Sequence, residues 1–399
     1  MNRFNLAVLI FIGLTGVSFA QSNSKGYPFT LQGKIIGKDS GKIKLIYNRK
    51  SECIRDSATI KNGEFVFEGY ISEPVKADII GEQRNHFEGD PNFATIYLEP
   101  GNMQITLEAE KFGELKLTGS KAQEEYSELY QMKKPIVMRD AGMGIRFKSL
   151  SDSIKSITDK DLLKKLESAR DELFQQHVRL PMQLAPIEKD FIIKHPNSYV
   201  SSELLWNFCI GEKIPLDSIK LLYNSLNKRI QNSIKGQIVR DNISRKEKSI
   251  IGTTAPDFKT KDLHQQTVTL SQFRAKNVVL LDFWASWCSS CRAATPFVNG
   301  LYERYHSKGL EIVAISVDKD QEKWVSAIKN GRTDMWHHVS TARSFSDKAE
   351  NDTNENIADK YAANGFPTYV LIDKEGKIVG RWLGLSKEEL EAKLSELLK

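Results

Sequence analysis

Apolar and polar positions follow three different rhythms along this chain. From Phe29 to Leu117 they alternate in short runs rich in β-branched residues, among them Lys42–Tyr47, Glu64–Phe67, Val75–Ile80, Ala94–Leu98, Gln104–Leu107 and Glu114–Leu117. Asn62-Gly63 and Pro100-Gly101 supply turn signals between them. A period of two over closely spaced runs predicts an antiparallel β-sandwich or barrel for residues 21–120. Between residues 121 and 249 the period becomes helical: Lys121–Met132, Asp161–Val178, Ile187–Ile193, Tyr199–Phe208 and Asp217–Arg229 place apolar residues three and four apart. Pro181, Pro186, Pro196 and Pro215 punctuate these runs, and Asn197-Ser198 and Pro215-Leu216-Asp217 read as helix starts.

From residue 250 to 399 strands and helices take turns. Val278–Trp284 is an apolar strand, followed by a helix over Cys291–His306 that Gly309 closes and a strand over Glu311–Val317. A helix over Gln321–Asn330 stops at Gly331, and Trp336–Ser340 extends the pattern. Ile357–Ala363 reads as helix, Thr368–Ile372 and Ile378–Leu383 as strands around Glu375-Gly376, and Lys387–Leu398 as the last helix. This is the pattern of a layered α/β domain. The chain is therefore multidomain: an N-terminal antiparallel β-sandwich or barrel, a central α-helical segment and a C-terminal α/β domain.

The first twenty residues carry one early cation, Arg3, a short apolar core from Leu6 to Leu14 and a small-residue end at Ser18-Phe19-Ala20. They read as a secretory signal peptide cleaved after Ala20, with an uncleaved anchor as the alternative. A mature protein in the periplasm or cell envelope is the expectation, a setting that oxidises thiols.

Composition adds two points. The net charge of +6 on 399 residues is too diffuse to argue for nucleic-acid binding. It is also confined: Lys and Arg balance Asp and Glu before residue 121 and after residue 250, and the whole excess falls between, notably at Lys228, Arg229, Lys235, Arg240, Arg245, Lys246 and Lys248. A solvated helix face explains that excess. The four cysteines are too few for a disulfide framework, so their positions matter. Cys53 stands alone and is expected to be half-buried and structural. Cys209, with Trp206 and Phe208, falls at the apolar end of a helix and is explained by packing.

Cys288 and Cys291 form a CxxC where the first long strand hands over to a helix. A thiolate, not a thiol, attacks disulfides, and unpaired N–H groups at a helix start favour the anion. Cys288 is thus the candidate nucleophile, and Cys291, one turn on, the resolving thiol. Ser289 and Ser290 can hydrogen-bond the sulfur or the first turn. His337-His338 on a strand would point to opposite faces and lack a third ligand at metal spacing, so no metal is expected.

The run Leu281-Asp282-Phe283-Trp284-Ala285-Ser286-Trp287-Cys288-Ser289-Ser290-Cys291 resembles the active-site strand and helix start of the thioredoxin superfamily. Pro296 matches that family's helix proline, and Gly365-Phe366-Pro367-Thr368 its cis-proline loop. Ala255-Pro256-Asp257-Phe258 is similar to the opening of the branch holding TlpA- and ResA-like envelope thiol-disulfide oxidoreductases and the peroxiredoxins, and residues before it loosely resemble an all-β domain of unknown function found ahead of such domains.

The resemblance implies an enzyme that exchanges dithiol for disulfide through Cys288 and Cys291, with no bound cofactor beyond that redox pair. It implies that Asp282 is a buried carboxylate relaying a proton for Cys291. It also implies that Trp287, Phe366, cis-Pro367 and Thr368 flank an extended substrate segment. Protein or peptide disulfides are the implied substrates, with a membrane electron donor as partner. Two other readings compete: an envelope binding or scaffold protein with an idle redox domain, and a thiol peroxidase. The peroxidase pattern is weakened because Leu281 and Ala285 occupy positions where the peroxiredoxins carry Pro and Thr or Ser.

Overall fold

The computed structural model describes residues 26–341 and 356–399 apart from Ser51, residues 83–89, Ser156, Thr158 and residues 212–213. The expected signal segment lies outside the described residues. The chain forms two compact units, one ending at Tyr126 and the other running from Ser127 to Lys399.

In the first unit, β1 (Tyr27–Ile36), β2 (Ser40–Arg49), β3 (Glu52–Lys61), β4 (Glu64–Ile71), β5 (Val75–Ile80), β6 (Phe93–Leu98), β7 (Gly101–Glu108) and β8 (Lys116–Thr118) form one eight-stranded sheet in the order β6-β5-β2-β3-β4-β1-β7-β8. Alternate side chains point inward, as the period of two requires. Ile96 of β6 and Ile105 of β7, far apart in strand order, share one core with Leu31, Leu45 and Phe67, so the sheet wraps around it. Asn62 and Gly63, both with positive φ, make the tight turn between β3 and β4.

Two expectations for this unit need correction. The sheet is not wholly antiparallel, because β1 pairs with β7 in parallel; strands that meet only in the folded sheet leave no turn signal between them. Cys53 is exposed rather than half-buried, since β3 pairs along its length with β2 but through Lys61 alone with β4, and most of its side chains stay exposed.

Helices fill the next stretch: α1 (Lys121–Ile154), α2 (Lys160–Val178), α3 (Leu180–Lys194), α4 (Tyr199–Gly211), α5 (Leu216–Ser225), α6 (Lys228–Gln231) and α7 (Ile234–Glu247). α1 is far longer than the Lys121–Met132 run and contains Pro135, and Pro186 lies within α3 rather than ending it. α4 is the buried centre, with Val200, Leu204, Leu205, Phe208 and Cys209 all inside and α5 and α7 packed on it. Ser198 caps its start by accepting the Val200 N–H. The basic residues here are not simply a solvated face. Lys246 is buried, while Arg229 and Lys235 lie over the rings of Tyr199 and Trp206.

The remaining residues contain β9 (Lys259–Lys261), β10 (Thr267–Thr269), β11 (Val278–Trp284), α8 (Ser289–Tyr305), β12 (Leu310–Ser316), α9 (Gln321–Gly331), β13 (His337–Ser340), α10 (Ile357–Lys360), β14 (Thr368–Ile372), β15 (Ile378–Leu383) and α11 (Lys387–Leu397). A five-stranded sheet runs β13-β12-β11-β14-β15, with β12 parallel and β14 antiparallel to the central β11. Every residue of β11 is buried because both faces of the sheet are covered. Leu280 and Trp284 join α8, α9 and α11 on one side. Leu281 and Phe283 join Phe258, Phe273 and α10 on the other. Gly331 stays in α9, and it is Arg332 that takes the left-handed conformation beyond it.

Candidate active site

The strand's period decides where its one charged residue points. Asp282 lies between Leu280 and Trp284 in the period-two series, so it faces the α8 layer, the layer that carries the cysteines. It is buried, and one carboxyl oxygen, Oδ1, has no hydrogen-bond partner among the described residues. Desolvation of the charged form pushes its carboxyl up to about 7. Across the sheet it is in register with Tyr369, whose phenol is held far above its ordinary range by burial and then by the neighbouring carboxylate.

Cys288 caps α8. Its Sγ accepts the Cys291 N–H at 3.1 Å, its carbonyl accepts the Arg292 N–H at 3.2 Å, and Ser290 Oγ stands 3.4 Å from the sulfur. One first-turn N–H, that of Cys291, is therefore aimed at the sulfur at the helix start, an arrangement that favours negative charge there once the bond is reduced. Cys288 and Cys291 are joined as a disulfide. Cys291 and Asp282 line one cleft of about 610 Å³, along with Trp284, Thr295, Pro296, Asn299 and Trp336. The cleft thus joins Asp282 and Cys291 on one side of the disulfide.

The other flank is apolar. Trp287 is 66% exposed, an unusual setting for an indole, and meets Phe366 edge to face at 6.1 Å. The Phe366-Pro367 peptide is cis. Thr368 differs from the expectation of a substrate contact: it is buried and its hydroxyl donates to the Gly365 carbonyl at 2.7 Å, so its side chain closes the loop from behind. Gly384 N–H donates to the Pro367 carbonyl at 2.8 Å and ties the loop to the end of β15.

Several residues at the site carry no motif signal. Asp318, buried after β12, accepts the Ser286 N–H, the Ser286 hydroxyl and the Ser316 hydroxyl at 2.7–2.8 Å. The Arg292 guanidinium donates to the Ser286 carbonyl. Together they clamp the turn that presents Trp287 and Cys288. The only sequence clue is an acidic residue just past the end of a strand, where sites collect in α/β sheets. His338 is buried, stacks on Trp336 and bonds the Thr333 carbonyl through Nε2, and burial holds its imidazole down at about 4. His337 instead faces Glu311 at 3.5 Å. Among the described residues no group of His, Cys, Asp and Glu is arranged to hold a metal ion.

Residues 250–398 match the Redoxin family model and residues 29–126 that of a domain of unknown function, DUF4369. The chain is 34% identical over 155 residues to thiol-disulfide oxidoreductase ResA of Bacillus cereus, covering 81% of that protein and 38% of this one. The chain belongs to the ResA-like thiol-disulfide oxidoreductases of the thioredoxin superfamily. ResA of Geobacillus thermodenitrificans is 30% identical over 151 residues, covering 78% of that protein and 37% of this chain. The solved thioredoxin domain of a thiol-disulfide oxidoreductase from Bacteroides vulgatus is 31% identical, covering 99% of that domain and 38% of this chain, at a TM-score of 0.32. The Cys288–Cys291 disulfide lies within the region that matches these oxidoreductases, on a chain that adds a β-rich domain and a helical segment.

Proposed function

We propose that this enzyme reduces disulfides of proteins or peptides outside the cytoplasm, using the Cys288/Cys291 pair as its only redox group. The observation that carries the reading is the Cys288 sulfur at the start of α8, with the buried Asp282 carboxyl and Cys291 sharing a cleft behind it. In the reduced enzyme the Cys288 thiolate attacks one sulfur of the substrate disulfide. That bond breaks, the distal sulfur leaves as a thiolate that takes a proton from water, and a mixed disulfide forms. Cys291 then gives its proton to the Asp282 carboxylate and attacks Cys288 Sγ. The substrate's second sulfur departs as a thiolate that takes a proton from water, Asp282 releases its proton to water, and the Cys288–Cys291 bond re-forms, two electrons having passed to the substrate. A separate dithiol donor, on the membrane, restores the reduced pair.

Trp287 and Phe366 supply the apolar walls against which an extended substrate segment lies, and the backbone at Phe366 pairs with it. Export rests on the N-terminal segment, with its short apolar core and Ser18-Phe19-Ala20. Among the described residues no helix is long and apolar enough to cross a membrane.

The decisive experiment is a Cys291→Ser trap in an extract of the envelope. The variant should accumulate mixed disulfides that vanish when Cys288→Ser is added, and wild type should reduce insulin or glutathione disulfide in a Cys288-dependent way. Absence of any Cys288-linked adduct together with no turnover would refute the reading.

A further inference from the structure

The helical segment meets the redox domain along the run that ends in the cis-proline loop. Three contacts define the junction. Arg245 of α7 pairs with Asp359 of α10 at 3.9 Å. The buried Ser249, just past α7, has its hydroxyl 3.3 Å from the Tyr361 carbonyl, while also lying within reach of the Arg245 and Lys246 carbonyls. At Gly365 the absence of a side chain lets the loop run close to α4: a methyl group there would sit in van der Waals contact, 3.5 Å from the Ile210 carbonyl oxygen at the end of α4, while its tighter neighbour, Leu383 Cδ1 at 2.8 Å, belongs to the redox domain itself.

The opposite side of the run is held as well. Tyr361 donates its hydroxyl to the Pro256 carbonyl at 2.6 Å, and the Lys360 ammonium to the Asp257 carbonyl at 3.3 Å. Residues 357–365 are therefore gripped between the ends of α4 and α7 and the start of the redox domain. Phe366 and cis-Pro367 follow directly. None of these contacts touches Cys288, Cys291 or Asp282.

Building on the disulfide-reductase reading, we infer that the helical segment is a positioning element for substrate: Ile210, Arg245 and Ser249 set the backbone at Phe366 against which an extended polypeptide pairs. Such an element acts on substrates long enough to use that backbone and is silent toward a small disulfide that meets only the sulfurs. It separates recognition of a polypeptide from the chemistry of exchange.

The test compares insulin, a polypeptide disulfide, with glutathione disulfide in the full chain. The Ser249→Ala, Arg245→Ala double variant should raise KM for insulin by about threefold or more, the size expected when a partly exposed ion pair and one hydrogen bond are lost. Its kcat for insulin, its kinetics with glutathione disulfide and its Cys288/Cys291 reduction potential should match wild type. Asp359→Asn, which removes the same ion pair from the redox-domain side, guards against a folding defect in the double variant and should give the same split. Equal changes with both substrates, or none with either, would overturn the inference. Wild type that turns over neither substrate would refute the underlying reductase reading instead, and the inference with it.

Discussion

Asp318 accepts the backbone N–H of Ser286 at 2.8 Å across 32 residues of sequence, and its other oxygen accepts the Ser286 hydroxyl at 2.7 Å. That pair holds the turn between β11 and the redox cysteines. Because Asp318 also accepts the Ser316 hydroxyl, Asp318→Ala would orphan three donors at once. It should cost about 3 kcal/mol of stability, as one buried and two part-buried donors lose their acceptor. Urea unfolding should show the loss, and insulin reduction should fall along with it, whereas Asp318→Asn should retain part of both.

Asp282 makes stability depend on pH in an uncommon direction. Its carboxyl is raised in the folded state to about 7, so between about pH 4 and pH 7 the native protein holds a proton that the unfolded chain has released. Its contribution is fully present below the unfolded value and is lost as pH rises through 7. Asp282→Asn should therefore be more stable than wild type at pH 8, by on the order of 4 kcal/mol, and about equal to it near pH 4. Denaturant melts at the two pH values check this.

The same substitution should also change catalysis. If the Asp282 carboxylate takes the proton of Cys291, the competent form is the one present above pH 7, so resolution of the mixed disulfide should slow as pH falls below that point. Asp282→Asn should be slower throughout and should lose this step in the profile. Stopped-flow tryptophan fluorescence of the reduced enzyme with a model disulfide separates the two curves.

Trp287 is exposed, so Trp287→Ala should leave stability within about 0.5 kcal/mol. If it walls the substrate groove with Phe366, KM for a polypeptide disulfide should rise roughly tenfold, as for the loss of a central aromatic anchor. Steady-state kinetics beside a thermal melt would show recognition failing in a fully folded protein.

The two free thiols should behave oppositely. Cys53 is exposed, whereas Cys209 is fully buried and its thiol is pushed up to about 11 by desolvation. With the redox pair oxidised, a thiol reagent at pH 8 should label Cys53 and leave Cys209 at least about tenfold slower until denaturant is added. Mass spectrometry of the labelled protein reads the order directly.

Much of this molecule was legible locally. Period-two runs marked the β-rich domain, three-and-four spacing marked the helices, and the CxxC at a strand-to-helix junction marked the redox centre. Those signals survive because they depend on neighbours within a few residues: a strand alternates, a helix repeats, and the first N–H groups of a helix point at whatever precedes them. Asp282 was legible through its place in the family's run, although its raised carboxyl comes from the depth of burial that only the covered sheet supplies.

The rest was decided by segments that meet only in the folded chain. The parallel pairing of β1 with β7, the openness of β3 that exposes Cys53, the Asp318 clamp on Ser286 and the grip of α4 and α7 on residues 357–365 all join positions far apart in sequence. Their partners are chosen by which apolar faces cover one another, and no spacing along the chain encodes that choice. The amino-acid sequence by itself determined the chemistry, a dithiol at a helix start, because that chemistry is local. Tertiary structure alone decided what surrounds the dithiol, because desolvation and long-range hydrogen bonds exist only once distant segments have packed.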